Sequence, residues 1–268
     1  MQYEKMVIIF IDIIGSKEIT DFEKKYEIHK LFHSSVRESQ RRQQSDSHSH
    51  VAYDRKLFSF SDCAYITYFY KPDIEPERRN TEHLMQVALF NTSILALRLA
   101  SRGYRVRGGV TFGEAFVDSD GCFGPAVNEA YRLESKVAKF PRILLSSDIG
   151  DLQYDFETKM QSLENVAIAN RMMRDWVPRI VHRDDDENFY LNILYMLEMD
   201  STFNYDGDQL TLEGIREVLV KNIDAELIKH KENEYITAQI EWFSNYLSKS
   251  KCSLKGGQVS YGTMVSVS

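Results

Sequence analysis

The sequence predicts an α/β (α+β) fold, a sandwich of helices on a central sheet, and three observations predict it. The run VIIFIDII at residues 7–14 is β-branched and apolar on both faces, the pattern of a strand buried mid-sheet. Lys56–Phe60 and Ala64–Tyr70 are β-rich runs flanking Ser61-Asp62, which reads as a tight hairpin with the aspartate at its tip. Amphipathic stretches near residues 19–43 and 82–99 have helical spacing. With a strand from Tyr104, the order is βαββαβ.

Each element follows from local signals. Gly15 ends the first strand, and Ile19, Phe22, Tyr26, Leu31 and Val36 predict a helix or helix pair to about Gln43. The SDSHSH break holds His48 and His50, which lack the further ligands of a metal site and read as a flexible loop. KPDIEPERRN is a loop with two prolines, followed by a helix from Glu82 to Leu99 with Gly103 as its stop signal. Tyr104–Phe112 and Glu114–Val117 read as a hairpin around Gly113, and DSDGCFG as a turn. Pro125 opens a helix through about Lys139. Arg142–Leu145 and Phe189–Tyr195 are further short strands, and the acidic run Asp184–Glu187 is a solvated loop.

Past Met199 the pattern turns helical, over Thr211–His230 and Glu234–Leu247. The expected organisation is a main domain over 1–197 and a helical extension with a tail over 198–268. Ile215, Leu219, Trp242 and Phe243 either cover the back of the sheet, extend a dimer contact, or form a partner surface.

Composition narrows the class. With 43% hydrophobic and 12% aromatic residues, the chain can bury a full core without disulfide or metal staples. A net charge of -7 excludes duplex nucleic acid as the main partner. Cys63, Cys122 and Cys252 form neither a CxxC pair nor a disulfide framework, which fits a reducing compartment. The run Met6–Ile11 is cut by Asp12 far short of the ~18 residues of a membrane span. With no signal peptide evident, the expectation is a cytoplasmic protein without a membrane partner.

Four residues carry the chemistry. Asp12 sits in an apolar strand, where a carboxylate needs a cation or several donors unless it merely caps the strand end. Asp62 at the hairpin tip is either ordinary turn chemistry or a second carboxylate beside Asp12, and hard oxygen ligands of that kind suit Mg²⁺ or Mn²⁺. Asn128 and Arg132, four apart on a helix, share one face; Arg132 reaches either a ligand or a neighbouring acid, Glu129 or Glu134.

The order of FIDI, FSDCAY, RVRGGVTFG and GPAVNEAYRLE resembles the catalytic domain of class III nucleotidyl cyclases over roughly residues 5–195. The resemblance implies a ferredoxin-like βαββαβ core and two divalent cations per site, Mg²⁺ or Mn²⁺. Asp12 and Asp62 look like the family's metal-binding aspartates, Asn128 like its ribose-orienting residue and Arg132 like its transition-state arginine. The Ile13 carbonyl looks like an additional metal ligand, and the backbone around Gly15 and Ser16 like the phosphate cradle, with Lys17 adding charge. It further implies a homodimer, each site taking its aspartates from one protomer and Asn and Arg from the other.

Departures from the family's purine readers bear on substrate. Those positions hold Phe58 and Gly121, with Cys122 one residue away, and neither the adenine nor the guanine pattern is present. A hairpin reading SD and these missing readers look like the bacterial pyrimidine cyclases of the Pycsar antiphage system. UTP, less so CTP, is the expected substrate, with a cyclic nucleotide product sensed by a separate effector. Tyr53 and Arg55 are the candidate base contacts. A purine cyclase and a silent nucleotide-binding module are the rival readings. The GGDEF signature of diguanylate cyclases is absent.

Overall fold

The computed structural model describes residues 2–43, 52–162, 178–199, 203–205, 208–210 and 212–250. His48, His50 and the final segment fall outside them. The first strand, β1 (Glu4–Ile13), buries Val7, Ile8, Ile9 and Ile11 completely, each contributing roughly 1.5–3 kcal/mol. A run apolar on both faces is stable only where both faces are covered, so β1 lies mid-sheet.

Helix α1 (Phe22–Gln43) follows, then the hairpin β2 (Tyr53–Phe60) and β3 (Cys63–Tyr70), helix α2 (Thr81–Ser101) and strand β4 (Val106–Val117). These four strands lie in the order β2-β3-β1-β4, all antiparallel, which is the expected ferredoxin-like arrangement. Beyond β4 the sheet continues with β6 (Ile143–Leu145, parallel to β4), β8 (Phe189–Leu191) and β7 (Val181–Arg183), while the short β5 (Cys122–Phe123) pairs with β4. A separate two-stranded piece joins β9 (Phe203–Tyr205) and β10 (Asp208–Leu210).

Side chains alternate faces along a strand. Val7, Ile9, Ile11 and Ile13 join α1 and α2 in the main core, whereas Met6, Ile8 and Phe10 form a second cluster under helix α3 (Pro125–Arg132). Asp12 therefore belongs to the α3 side. Gly109 lets α3 approach: a Cβ there would stand 2.2 Å from the Ala130 carbonyl oxygen.

Several elements differ from the sequence expectation. Residues 106–117 form one strand, with no hairpin at Gly113, because Gly113 pairs with Met6 in an unbroken ladder to β1. In α1, Phe22 and Tyr26 are exposed, and Ile28 and Phe32 take the buried stripe with Leu31 and Val36. The helix from Pro125 stops being α-helical at Arg132 and widens into a π turn over Leu133–Val137. The expected strand to Tyr195 ends at Leu191, and Tyr195–Glu198 is a short helix, α5, after α4 (Ser147–Ser162). The acidic run is not simply solvated, since buried Arg142 bridges Asp184 and Asp186.

The C-terminal helices α6 (Leu212–Lys229) and α7 (Glu234–Lys249) share the main core. Ile215, Leu219 and Phe243 are buried there and Trp242 packs against it, with α6 lying on α2 and Trp242 meeting Tyr190 of β8. Helix α2 is long and apolar enough to cross a membrane, but 72% of its apolar window is buried inside the fold, as in a core helix.

Candidate active site

The end of β1 meets the tip of the β2–β3 hairpin. A two-residue turn needs positive φ, and Ser61 supplies it at 58°. The Ile13 amide donates to the Asp62 carbonyl at 3.2 Å, locking hairpin to strand. Gly15 turns the chain with φ of 76°, and a short 3-10 turn over Ser16–Glu18 follows. From it the buried Ser16 hydroxyl donates to the Asp62 carboxylate. Asp12, Ile13, Gly15, Ser16 and Asp62 thus come together.

Their electrostatics differ. Burial, with Glu134 and Asp62 adding like charge, pushes the Asp12 carboxyl up to about 6, against the pull of Arg107 and the Ile13 amide. Burial also acts to raise Asp62, but hydrogen bonds from Ser16, Ser61 and its own amide, with Lys25 nearby, hold it below the ordinary carboxylate range. Burial and the surrounding carboxylates push the Cys63 thiol up to about 11, so it stays protonated.

A half-buried carboxyl flanked by like charge is relieved by a cation, and the donors are hard oxygens. Among the described residues no group of three or more His, Cys, Asp or Glu gathers as a metal cage. Two carboxylates and a main-chain carbonyl instead fit Mg²⁺ or Mn²⁺, which keep several waters and substrate phosphates as ligands.

Asn128 and Arg132 lie exposed on α3. The Arg132 guanidinium donates to both Glu129 carboxylate oxygens, at 2.6 and 2.7 Å, one of the acidic partners the spacing allows. No hydrogen bond or ion pair joins Arg132 to Asp12 or Asp62 among the described residues.

The base-reading candidates divide between the two faces. Phe58 opposes Tyr65 across the hairpin, and Tyr65 packs on Phe10 at 4.6 Å, so both belong to the Asp12 face. Gly121 sits in a turn whose amide donates to Asp118 at 3.1 Å, and the half-buried Cys122 packs in the same cluster as Tyr65. Tyr53 and Arg55 are placed otherwise than expected. Alternation along β2 puts both on the opposite face, where Arg55 is 1% exposed with its guanidinium 5.8 Å from the Tyr68 ring centre, and Tyr53 meets His83. They are not brought to the carboxylates.

Sequence reading missed Arg107, and it offered Glu134 as a partner of Arg132, whereas Glu134 pairs with Arg107. Arg107 is the β4 residue opposite Asp12, and its Nε donates to the buried Glu134 carboxylate at 2.6 Å. The RVRG repeat marks a strand with alternating charge, but nothing local shows a glutamate after Arg132 turning inward.

No family model matches the chain, and no curated protein does. Solved structures do. The monomeric guanylyl cyclase domain of the RhoGC fusion protein from the aquatic fungus Blastocladiella emersonii is 15% identical, covering 71% of this chain and 96% of that one, with a TM-score of 0.40. A bacterial light-regulated adenylyl cyclase is 13% identical over 83% of this chain and 100% of that one, at 0.39. An adenylate/guanylate cyclase/hydrolase from Silicibacter pomeroyi is 13% identical over 71% and 96%, at 0.36. Likeness this remote decides nothing about chemistry, which stands on this chain's own residues.

Proposed function

We propose that this chain is a metal-dependent nucleotidyl cyclase that converts UTP, less readily CTP, to a 3′,5′-cyclic nucleotide and pyrophosphate. The observation that carries the reading is the convergence of Asp12 and Asp62, 50 positions apart in sequence, at one end of the central sheet.

In this reading Asp12, Asp62 and the Ile13 carbonyl hold two divalent cations. Bound there, such ions lower the pKa of the attacking 3′-hydroxyl and neutralise charge on the triphosphate. The Gly15–Ser16 turn brings backbone amides to the phosphates, and the Ser16 hydroxyl fixes the Asp62 carboxylate. Asn128 orients the ribose, and Arg132 leaves Glu129 to offset charge as pyrophosphate departs. Because Arg132 contacts neither aspartate within the chain, the reading requires two copies with shared sites.

The pyrimidine preference rests on the apolar Phe58 and the side-chain-free Gly121 at the expected reader positions, and on Phe58 lying against Tyr65. A bulky aromatic wall favours a smaller ring. The product would serve as a second messenger for a separate effector, as the resemblance to antiphage pyrimidine cyclases implies. A guanylate cyclase is the second reading, favoured by Cys122 packing in the cluster that holds Tyr65.

The test is to incubate the full chain with each of the four nucleoside triphosphates and Mn²⁺ and identify products by mass spectrometry. Cyclic UMP or cyclic CMP is expected. Turnover of ATP or GTP alone transfers the assignment to a purine cyclase, and nucleotide binding without turnover makes it a silent module.

A further inference from the structure

Asp12 has two cross-strand neighbours, Cys63 on β3 and Arg107 on β4. A guanidinium beside a carboxylate ordinarily pairs with it, most strongly where solvent is limited. Here it does not. The Arg107 Nε and one terminal nitrogen both reach a single Glu134 oxygen, at 2.6 and 2.5 Å, and no ion pair joins Arg107 to Asp12 among the described residues.

Glu134 is placed for that purpose by the backbone. Its side chain is 4% exposed and it stands in the π turn after Arg132, closed by the Ala138 amide donating to the Leu133 carbonyl at 2.8 Å. The wider turn directs a helix-terminal carboxylate down to β4 rather than out to solvent.

We infer that Glu134 is a positioning residue: by holding Arg107 it keeps a guanidinium off Asp12 and leaves that carboxylate free to ligate a cation. The inference rests on the reading of Asp12 as a metal ligand. A guanidinium released toward Asp12 would occupy the same oxygens and compete with the ion directly. A pair serving stability alone would leave Arg107 away from Asp12 once Glu134 is neutralised, with only the loss of the Glu134 charge felt at the cation.

The test measures Mn²⁺ binding to the full chain by calorimetry, without nucleotide. Glu134→Gln removes the charge that holds Arg107 and is expected to weaken Mn²⁺ binding about tenfold. The double variant Glu134→Gln with Arg107→Gln removes the competitor too and is expected to restore affinity to near the original. A crystal structure of Glu134→Gln should show Arg107 within hydrogen-bonding distance of Asp12.

Unchanged affinity in Glu134→Gln, with Arg107 still on residue 134, overturns the inference. If that single variant does not fold, weak binding by the double variant overturns it as well. Mn²⁺ uptake that survives Asp12→Asn combined with Asp62→Asn, or no uptake by the unaltered chain, sinks the metal reading instead. The position of Arg107 in the Glu134→Gln crystal then decides the positioning claim alone.

Discussion

The Ser16 hydroxyl donates to the Asp62 carboxylate, tying the turn after β1 to the hairpin tip 46 residues further on. Ser16 is buried, so water cannot replace it freely. Ser16→Ala should cost about 1–2 kcal/mol of stability and lower Mn²⁺-dependent turnover roughly tenfold through a loosened Asp62. Thermal melts and turnover at saturating nucleotide check both; unchanged turnover would detach Ser16 from the site.

The shared-site reading makes a stronger prediction. Asp12→Ala, Asp62→Ala and Arg132→Ala should each lose turnover by at least about a hundredfold. Mixing Asp62→Ala with Arg132→Ala protein should restore activity, since one of the two mixed sites is then intact. Heterodimers that form, seen by native mass spectrometry, yet stay inactive would disprove a site built by two chains.

Acid–base linkage appears far from this site. Burial pushes Glu157 up to about 7, opposed by the Ile180 and Val181 amides that donate to it, by Arg179 and by Gln153. A carboxyl raised on folding binds its proton more tightly in the native state. Its contribution to stability is therefore full below its ordinary value of 4.5 and is lost as pH rises to about 7. Asp12 acts in the same direction up to about 6. Glu157→Gln should flatten the stability profile between those limits by on the order of 3 kcal/mol, read from denaturant unfolding at several pH values. An unaltered slope would place Glu157 in solvent-like surroundings.

Gly109 sets the distance between α3 and the sheet. A methyl group there meets the Ala130 carbonyl at 2.2 Å and the Leu133 Cβ at 2.8 Å, and backbone cannot move aside cheaply. Gly109→Ala should destabilise the protein by roughly 2–4 kcal/mol and shift the helix that bears Asn128 and Arg132. A melting temperature like that of the original protein would show that α3 rides more loosely than described.

The sequence revealed those parts of the fold whose signals are local. VIIFIDII announced a central strand, Ser61-Asp62 a two-residue turn, and Pro125 a helix start, because burial, turn geometry and proline each act over a few residues. What depends on distant packing stayed hidden. Gly113 resembles a turn residue but lies in a strand because β1 supplies a continuous partner for β4 from Val106 to Ala115. Arg55 reads as a base contact near the hairpin, yet strand alternation turns it into the core beside Tyr68. The proximity of Asp12 to Asp62 was legible through resemblance, whereas the Arg107–Glu134 pair needs a π turn that no local pattern signals.

β1 is flanked on both edges and covered on both faces, so its amides open to solvent only when the molecule as a whole unfolds. Deuterium uptake there should be the slowest in the chain. An aspartate carried on that strand keeps its place while the margins fray, so on heating the protein should inactivate in one abrupt step, without a gradual decline beforehand.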